Sequence, residues 1–277
     1  MTAIVFDKVC KEYGDHVVLE RIDLAIEPRS FVALVGPSGC GKTTFLRMLL
    51  GEEKPTRGRI LVDGTPLKAE PNADRGVVFQ RYSVFPHLTV LENVMIGREF
   101  ERSCLFGKLF GSSLREAEAE ARHLLEAVGL KRHEEKYPAS LSGGMQQRLA
   151  LAQAINRKPK ILLLDEPFGA LDPGIRADIH VLIRRIWNEN NLTIVMVTHD
   201  LSEAFRLGTR VIAFERPRDR PEELERYGAT LGDVGANAVA AASGASVTRD
   251  FEVWPKKSVQ PLPDAEQLTP NGGRPPN

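Results

Sequence analysis

The strongest constraint on the fold lies between residues 31 and 51. Phe31-Val-Ala-Leu-Val35 is continuously apolar and runs into Gly36-Pro-Ser-Gly-Cys-Gly-Lys-Thr43, followed by a helical stretch over residues 43–50 closed by Gly51. A strand with no polar side is buried on both faces, which demands a sheet covered above and below. The turn fits G-x-x-x-x-G-K-[ST] and stands after a strand and before a helix, where that pattern has a mechanism. Its glycines let the main chain wrap closely around phosphates, so that successive N–H groups and the helix N-terminus face the anion. Lys42 is predicted to supply a point charge for the β and γ phosphates, and Thr43 a hydroxyl for Mg²⁺. Cys40, in the same loop beside Lys42, stands where a thiolate is favoured, so alkylation is expected to inhibit and nucleotide to protect.

Further short β-branched runs, residues 4–6, 17–24, 161–164, 193–198 and 211–214, read as strands. Helices alternate with them. Ser113 with Glu116 has the spacing of a capping box ahead of the stripe Ala117, Ala121, Leu124, Leu125 and Val128, and Gly129 stands where a left-handed cap belongs. Asp172 caps and Pro173 opens a helix with Ile175, Ile179, Leu182, Ile183 and Ile186 on one face. Such alternation implies one α/β domain with a mostly parallel sheet. Residues 88–158 read as a helical insert within it, with an insertion-like stretch at 97–112. Residues 215–277 hold eight of the 18 prolines and read as a largely flexible tail, in which residues 247–254 can pair as a strand.

The charge balance narrows the partners. Lys plus Arg count 37 and Asp plus Glu count 37 in 277 residues, so no net basic field argues for nucleic acid or anionic lipid. No apolar run approaches the roughly 18 residues that cross a bilayer, and residues 1–10 lack a basic segment followed by an apolar one. A cytosolic chain with neither spanning helix nor secretory signal is expected. Cys10, Cys40 and Cys104 are scattered, without metal-type pairing, as a reducing compartment tolerates.

Four more groups of residues point at phosphate chemistry. Ile161-Leu-Leu-Leu-Asp-Glu-Pro167 is an apolar strand ending in two carboxylates, at the end that faces the ligand crevice of a parallel sheet. Asp165 is placed for the Mg²⁺ shell, and Glu166, pointing the other way along the pleat, can take a proton from attacking water. Gln80 and His199 each follow an apolar run; the amide of Gln80 can bridge metal and water, and His199 can donate to a developing phosphoryl charge. Ser142, Gly143 and Gly144 precede a helix from Met145 to Ile155, presenting a hydroxyl and free N–H groups as a second anion site. Tyr13, between the first strands, can stack on a base or stand as a surface turn tyrosine.

Together, in this order, these residues resemble the ATP-binding subunit of an ATP-binding-cassette (ABC) transporter over residues 1–214. Tyr13 is similar to the adenine-stacking aromatic. Gly36, Pro37, Ser38, Gly39, Cys40, Gly41, Lys42, Thr43 and Thr44 resemble the phosphate loop, Gln80 the Q-loop, and Leu141 to Arg148 the signature. Ile161 to Pro167 resemble the acid strand, Leu171-Asp172 the D-loop, and His199 the switch histidine. The resemblance implies a P-loop NTPase (RecA-like) α/β core, residues 1–87 and 159–214, with an N-terminal antiparallel β part. It implies a helical subdomain at 88–158 carrying the signature, and leaves 215–277 as a C-terminal extension.

By the same resemblance, two copies sandwich two ATP with Mg²⁺, each between one loop and the partner's Ser142 to Gly144, near Asp172. Glu166 is the base; Gln80 and His199 serve the catalytic centre; Thr43, Gln80 and Asp165 hold the metal. Separate permease subunits dock near residues 80–88 at the cytoplasmic face of the membrane, and a periplasmic or extracellular solute-binding protein takes part indirectly. Leu141 to Arg148, Glu166 to Asp172 and Thr198 to Ala204 resemble the branch importing nitrate, sulfonates, taurine and urea-linked compounds. Met145 and Gly169 depart from the family's common glutamine and serine. The alternatives are an ABC-type ATPase of a non-import membrane complex, or a nucleic-acid- or ribosome-associated factor. Against a repair ATPase, only about a hundred residues separate Gly36 from Leu141, and no sustained heptad fills them.

Overall fold

The computed structural model describes residues 3–68, 70, 73–79, 84–102, 111–169, 171–215 and 230–233. Strand β1 (Ile4–Tyr13) pairs antiparallel with β2 (His16–Ile26) and with β4 (Arg57–Val62), which turns back into the short β5 (Thr65–Pro66). Between them in the chain, β3 (Phe31–Val35) enters a second sheet and leads to α1 (Lys42–Leu50). That sheet also takes β6 (Arg75–Val78), β7 (Ile161–Asp165), β8 (Thr193–Val197), β9 (Arg210–Glu215) and β10 (Thr230–Asp233), in the order β10-β9-β3-β8-β7-β6. All its pairings are parallel except β10 with β9.

The expected burial of residues 31–35 on both faces holds, and its period is two. Phe31, Ala33 and Val35 join one core, and Val32 and Leu34 the other. The second core fills the space between the sheets with α1. Phe45 stacks on Phe6 at 4.3 Å and meets Phe214 edge-on at 5.6 Å. Gly51 closes α1 with φ 91°, as the sequence predicts, its N–H donating to the Arg47 and Met48 carbonyls. The first core is covered by α4 (Gly143–Asn156), α5 (Pro173–Asn190) and α6 (Leu201–Leu207).

The helical insert comprises α2 (Val90–Arg102), α3 (Gly111–Ala127) and α4. Two expectations need correction here. Residues 97–102 continue α2, so the insertion-like stretch begins inside a helix. The capping box is not at Ser113: α3 starts at Gly111, which puts Ser113 inside the helix. The box that forms is Thr89-x-x-Glu92, where the Thr89 N–H donates to Glu92 Oε2 at 2.7 Å and the Glu92 N–H to Thr89 Oγ1 at 3.3 Å. Gly129, at φ 69°, does terminate α3, and the Leu130 N–H reaches back to the Leu125 carbonyl at 2.7 Å. Buried Asn93 receives the Phe85 N–H and donates to the Phe85 and Leu88 carbonyls, fixing residues 85–88 on the start of α2.

Within residues 215–277, Thr230–Asp233 forms β10 at the edge of the second sheet. The strand suggested at 247–254, together with Gln80 and Cys104, lies outside the described residues.

On α5, the predicted stripe is buried at Ile179, Leu182, Ile183 and Ile186. It also carries His180, 4% exposed, with both ring nitrogens lacking a hydrogen-bond partner among the described residues and its ring edge-on to Phe168 at 4.5 Å. Burial, then the cations of Arg206 and Arg176, push its pKa down to about 4, while Asp200 opposes them and Arg184 adds to the depression. The unfolded chain therefore binds the proton first, near pH 6.5, and the fold loses stability as pH falls from there toward 4. Between pH 7 and pH 5 this amounts to about 2 kcal/mol. Urea unfolding at both pH values should show that loss in the native chain and not in His180→Leu. An equal loss in both would assign the acid sensitivity elsewhere.

Candidate nucleotide site

The site begins where β3 ends. Gly36 cannot carry a side chain, because a Cβ there would lie 2.7 Å from the Phe214 carbonyl oxygen. Gly41, at φ 95°, caps α1 through its backbone alone and packs so closely on Leu19 that a Cβ would come within 2.7 Å. The α1 N-terminus has no side-chain cap and no acidic residue in its first turn, which leaves its N–H groups for an external anion. Pro37, Ser38 and Gly39 form the exposed rim. Lys42 is 7% exposed, and its ammonium donates to the Gly36 and Pro37 carbonyls at 2.8 Å each, with Cys40 Sγ at 3.7 Å. The two close partners are neutral main-chain carbonyls. Cys40 itself is 1% exposed and belongs to the second core, which corrects the expected alkylation: a reagent in solvent does not reach it.

Beside the loop, the Thr43 hydroxyl donates to Asp165 Oδ2 at 3.4 Å. Burial raises the pKa of Asp165, the neighbouring Glu166 raises it further, and the Thr43 hydroxyl and Lys42 charge pull it back. A hydroxyl and a carboxylate side by side, with a second carboxylate next to them, form the hard oxygen set that suits Mg²⁺. A divalent cation would relieve the repulsion between the acids, so the residues present fit the ion.

The pleat does not set the direction of Glu166. Strand β7 ends at Asp165, and Glu166 turns out of it in the left-handed region at φ 47°, its N–H donating to the Val197 carbonyl at 2.9 Å. Such a conformation costs on the order of 1 kcal/mol or more for a residue with a Cβ and is held by its surroundings. It brings Glu166 Oε1 to 3.5 Å from Nδ1 of the exposed His199.

The residues that hold His199 were not singled out by sequence. Thr198 Oγ1 donates to Glu203 Oε2 at 2.8 Å and accepts the Asp200 N–H at 3.1 Å. Asp200 caps α6, and hydrogen bonds from Ser202 keep its carboxyl below the usual range. Burial raises Glu203, against the bond from Thr198. Arg176 on α5 joins this group to the Leu171-Asp172 segment: its guanidinium lies 3.6 Å from Asp200 Oδ2 and 3.4 Å from Glu203 Oε1, and donates to the Leu171 carbonyl at 3.4 Å. An Arg four residues after an N-cap Asp, with two acids just beyond a His that follows a strand, is a visible signal in retrospect.

Ser142 and Gly143 stand exposed on the helical insert. The Ser142 hydroxyl caps α4 by accepting the Met145 N–H at 3.3 Å, so the cap uses the main chain at Met145 and tolerates that departure. Gly144 abuts Leu171, where a Cβ would lie 3.1 Å from Cδ2. Asp172 is the N-cap residue of α5 by position, with an exposed side chain that makes no cap bond. Tyr13 is the last residue of β1 and not part of a separate turn; it is 47% exposed, and its hydroxyl donates to Glu53.

A parallel sheet whose central strand runs into this loop, beside a strand ending in carboxylates, defines a P-loop nucleotide-binding fold, here with an antiparallel β part and an inserted helical subdomain. Comparison with known proteins refines the class. The chain belongs to the ABC transporter family, whose pattern matches residues 19–169. It is 44% identical over 224 residues to the aliphatic sulfonates import ATP-binding protein SsuB 1 of Paraburkholderia xenovorans, covering 79% of this chain and 60% of that protein. It is 36% identical over 287 residues to the Fe(3+) ions import ATP-binding protein FbpC of Brucella abortus, covering 97% and 79%. The chain spans about three-fifths of the sulfonate protein and of a 40% identical sulfate/thiosulfate import ATP-binding protein of Gloeobacter violaceus, of which 61% is covered along with 78% of this chain. Among solved structures, the ATP-binding cassette MJ0796, a dimer in a post-hydrolysis state bound to ADP and Pi, superposes with a TM-score of 0.67 at 30% identity, covering 81% of this chain and 99% of that one. The family expected from the motifs is borne out. Among the described residues no helix is long and apolar enough to cross a membrane.

Proposed function

We propose that this chain is the ATP-hydrolysing subunit of an importer, working as a pair of cassettes on separate permease subunits at the cytoplasmic face of the membrane. The observation that carries the nucleotide reading is the buried Lys42 ammonium, held by main-chain carbonyls at the uncapped N-terminus of α1. It is a positive cradle waiting for an anion of high charge. Residues 36–44 bind the triphosphate, Tyr13 takes the base, and Thr43 and Asp165, with Gln80, hold Mg²⁺. The ion, when bound, neutralises charge on the β and γ oxygens. Glu166 accepts the proton of the attacking water, and His199, next to it, donates to the transferring phosphoryl group.

Ser142 to Gly144 present their helix end to the nucleotide on the second cassette, with Asp172 at the same face. The dimeric, ADP-bound neighbour supports that pairing. The core at 1–87 and 159–214 carries the loop, the subdomain at 88–158 the signature, and residues 80–88 receive the permease. The solute is a small sulfur or nitrogen compound of the sulfonate, taurine, nitrate or urea kind; the sulfonate and sulfate relatives favour it, while the iron relative does not.

Purification from detergent-solubilised membranes should recover a polytopic permease together with a solute-binding protein. Specific ATPase activity should also rise with protein concentration, because each pocket needs two chains. Recovery of ribosomes or cell-wall enzymes, or a rate per molecule that does not change with concentration, would overturn the importer and the pairing respectively.

A further inference from the structure

Tyr13 is an exposed aromatic held by groups that are themselves largely buried. Its hydroxyl donates to Glu53, which lies just past the Gly51 turn that ends α1. The Lys11 ammonium sits over the ring, 4.7 Å from its centroid. Lys11 is in turn fixed, at 3.2 Å from Glu53 Oε2 and by donating to the Lys54 carbonyl at 3.0 Å. Arg47 of α1 closes the group at 3.6 Å from Glu53 Oε1. The Lys11 and Glu53 side chains are only 13% and 19% exposed, against 47% for Tyr13. A surface tyrosine ordinarily turns about its side-chain bonds; here the phenol is tied at its tip and covered by a cation on one face. The tie runs to the helix that follows the phosphate loop, so the ring keeps a set position relative to the cradle.

We propose that Lys11 and Glu53 are positioning residues that hold Tyr13 as a rigid platform for the nucleotide base, a role resting on the nucleotide reading above. A ring already fixed loses little freedom when a base stacks on it, so more of the stacking is expressed as affinity. Because Glu53 occupies the hydroxyl, the base is met by the ring's face and not by its polar edge.

The test separates base from phosphates. Binding of ATP and of inorganic tripolyphosphate, each with Mg²⁺, is measured by calorimetry on the full chain and on Lys11→Met, Glu53→Ala and Glu53→Gln. Base stacking is worth roughly 5- to 150-fold in affinity, so the native chain should prefer ATP by a factor in that range. Glu53→Ala should weaken ATP about 10-fold and Lys11→Met about 3-fold, with tripolyphosphate unchanged in both. Glu53→Gln, which keeps an acceptor for the phenol, should fall between Glu53→Ala and the native chain. If the variants weaken both ligands equally, the cluster is merely structural, and if folded Glu53→Ala binds ATP as the native chain does, Glu53 positions nothing; either result overturns the proposal. A native chain that binds tripolyphosphate as tightly as ATP would remove the platform itself, and one that binds neither would remove the nucleotide reading beneath it.

Discussion

Glu166→Gln should leave ATP binding intact and slow hydrolysis by about 10²- to 10⁴-fold, the range that a positioned general base supplies. The amide has the shape of the carboxylate and tolerates the φ 47° backbone neither better nor worse, so the turn that presents residue 166 is preserved. What disappears is a proton acceptor 3.5 Å from His199. With ATP bound and uncleaved, the two cassettes should stay closed and elute as a dimer in size-exclusion chromatography. A variant that turns over at the native rate would show that another group takes the proton.

Lys42→Met is the second large effect. The ammonium is 7% exposed, and truncating one partner of such a buried charge-assisted contact costs about 2–5 kcal/mol, a loss of roughly 30-fold or more in affinity for Mg-ATP. The nucleotide-free protein, by contrast, should be no less stable. Removing a buried charge whose hydrogen bonds go to two carbonyls and the Cys40 sulfur relieves its desolvation, which offsets those bonds and the longer-range attraction to Asp165. Calorimetry for binding and thermal unfolding without nucleotide read the two halves separately. Weak binding together with a collapsed melting temperature would mean that Lys42 builds the loop and does not serve the ligand.

The parts of this fold that sequence exposes are those where one local rule acts alone. Residues 31–35 admit no polar face, Gly51 has no rival as a helix end, and Gly36 and Gly41 of the loop answer to contacts within van der Waals distance. Where two local rules compete, the reading goes astray. Ser113-x-x-Glu116 and Thr89-x-x-Glu92 carry the same signature, and only tertiary packing chooses: Asn93, one residue beyond the second, is fully buried and pins the chain entering α2. Alternation along the pleat does not position Glu166, since it cannot foresee a left-handed residue at the end of a strand. The place of Cys40 beside Lys42 and a helix N-terminus reads as a reactive thiol, yet this loop turns that thiol into the core. The Arg176 bridge leaves in the sequence only the spacing of its two separate ends, and the Lys11–Glu53 tie joins residues distant in sequence that no local pattern marks.

The neighbours of β3 have a consequence for how the molecule is made. The strand that launches the loop is flanked by β8 and β9, both from the last third of the described residues, and its first N–H is met by the Thr209 hydroxyl, 178 positions onward. The oxygen on which Gly36 rests belongs to Phe214. A ribosome therefore exposes the letters of this loop long before it exposes the walls against which the loop can set. During synthesis the cassette is born without a grip on its fuel, and acquires one only as the final strands slide into place on either side.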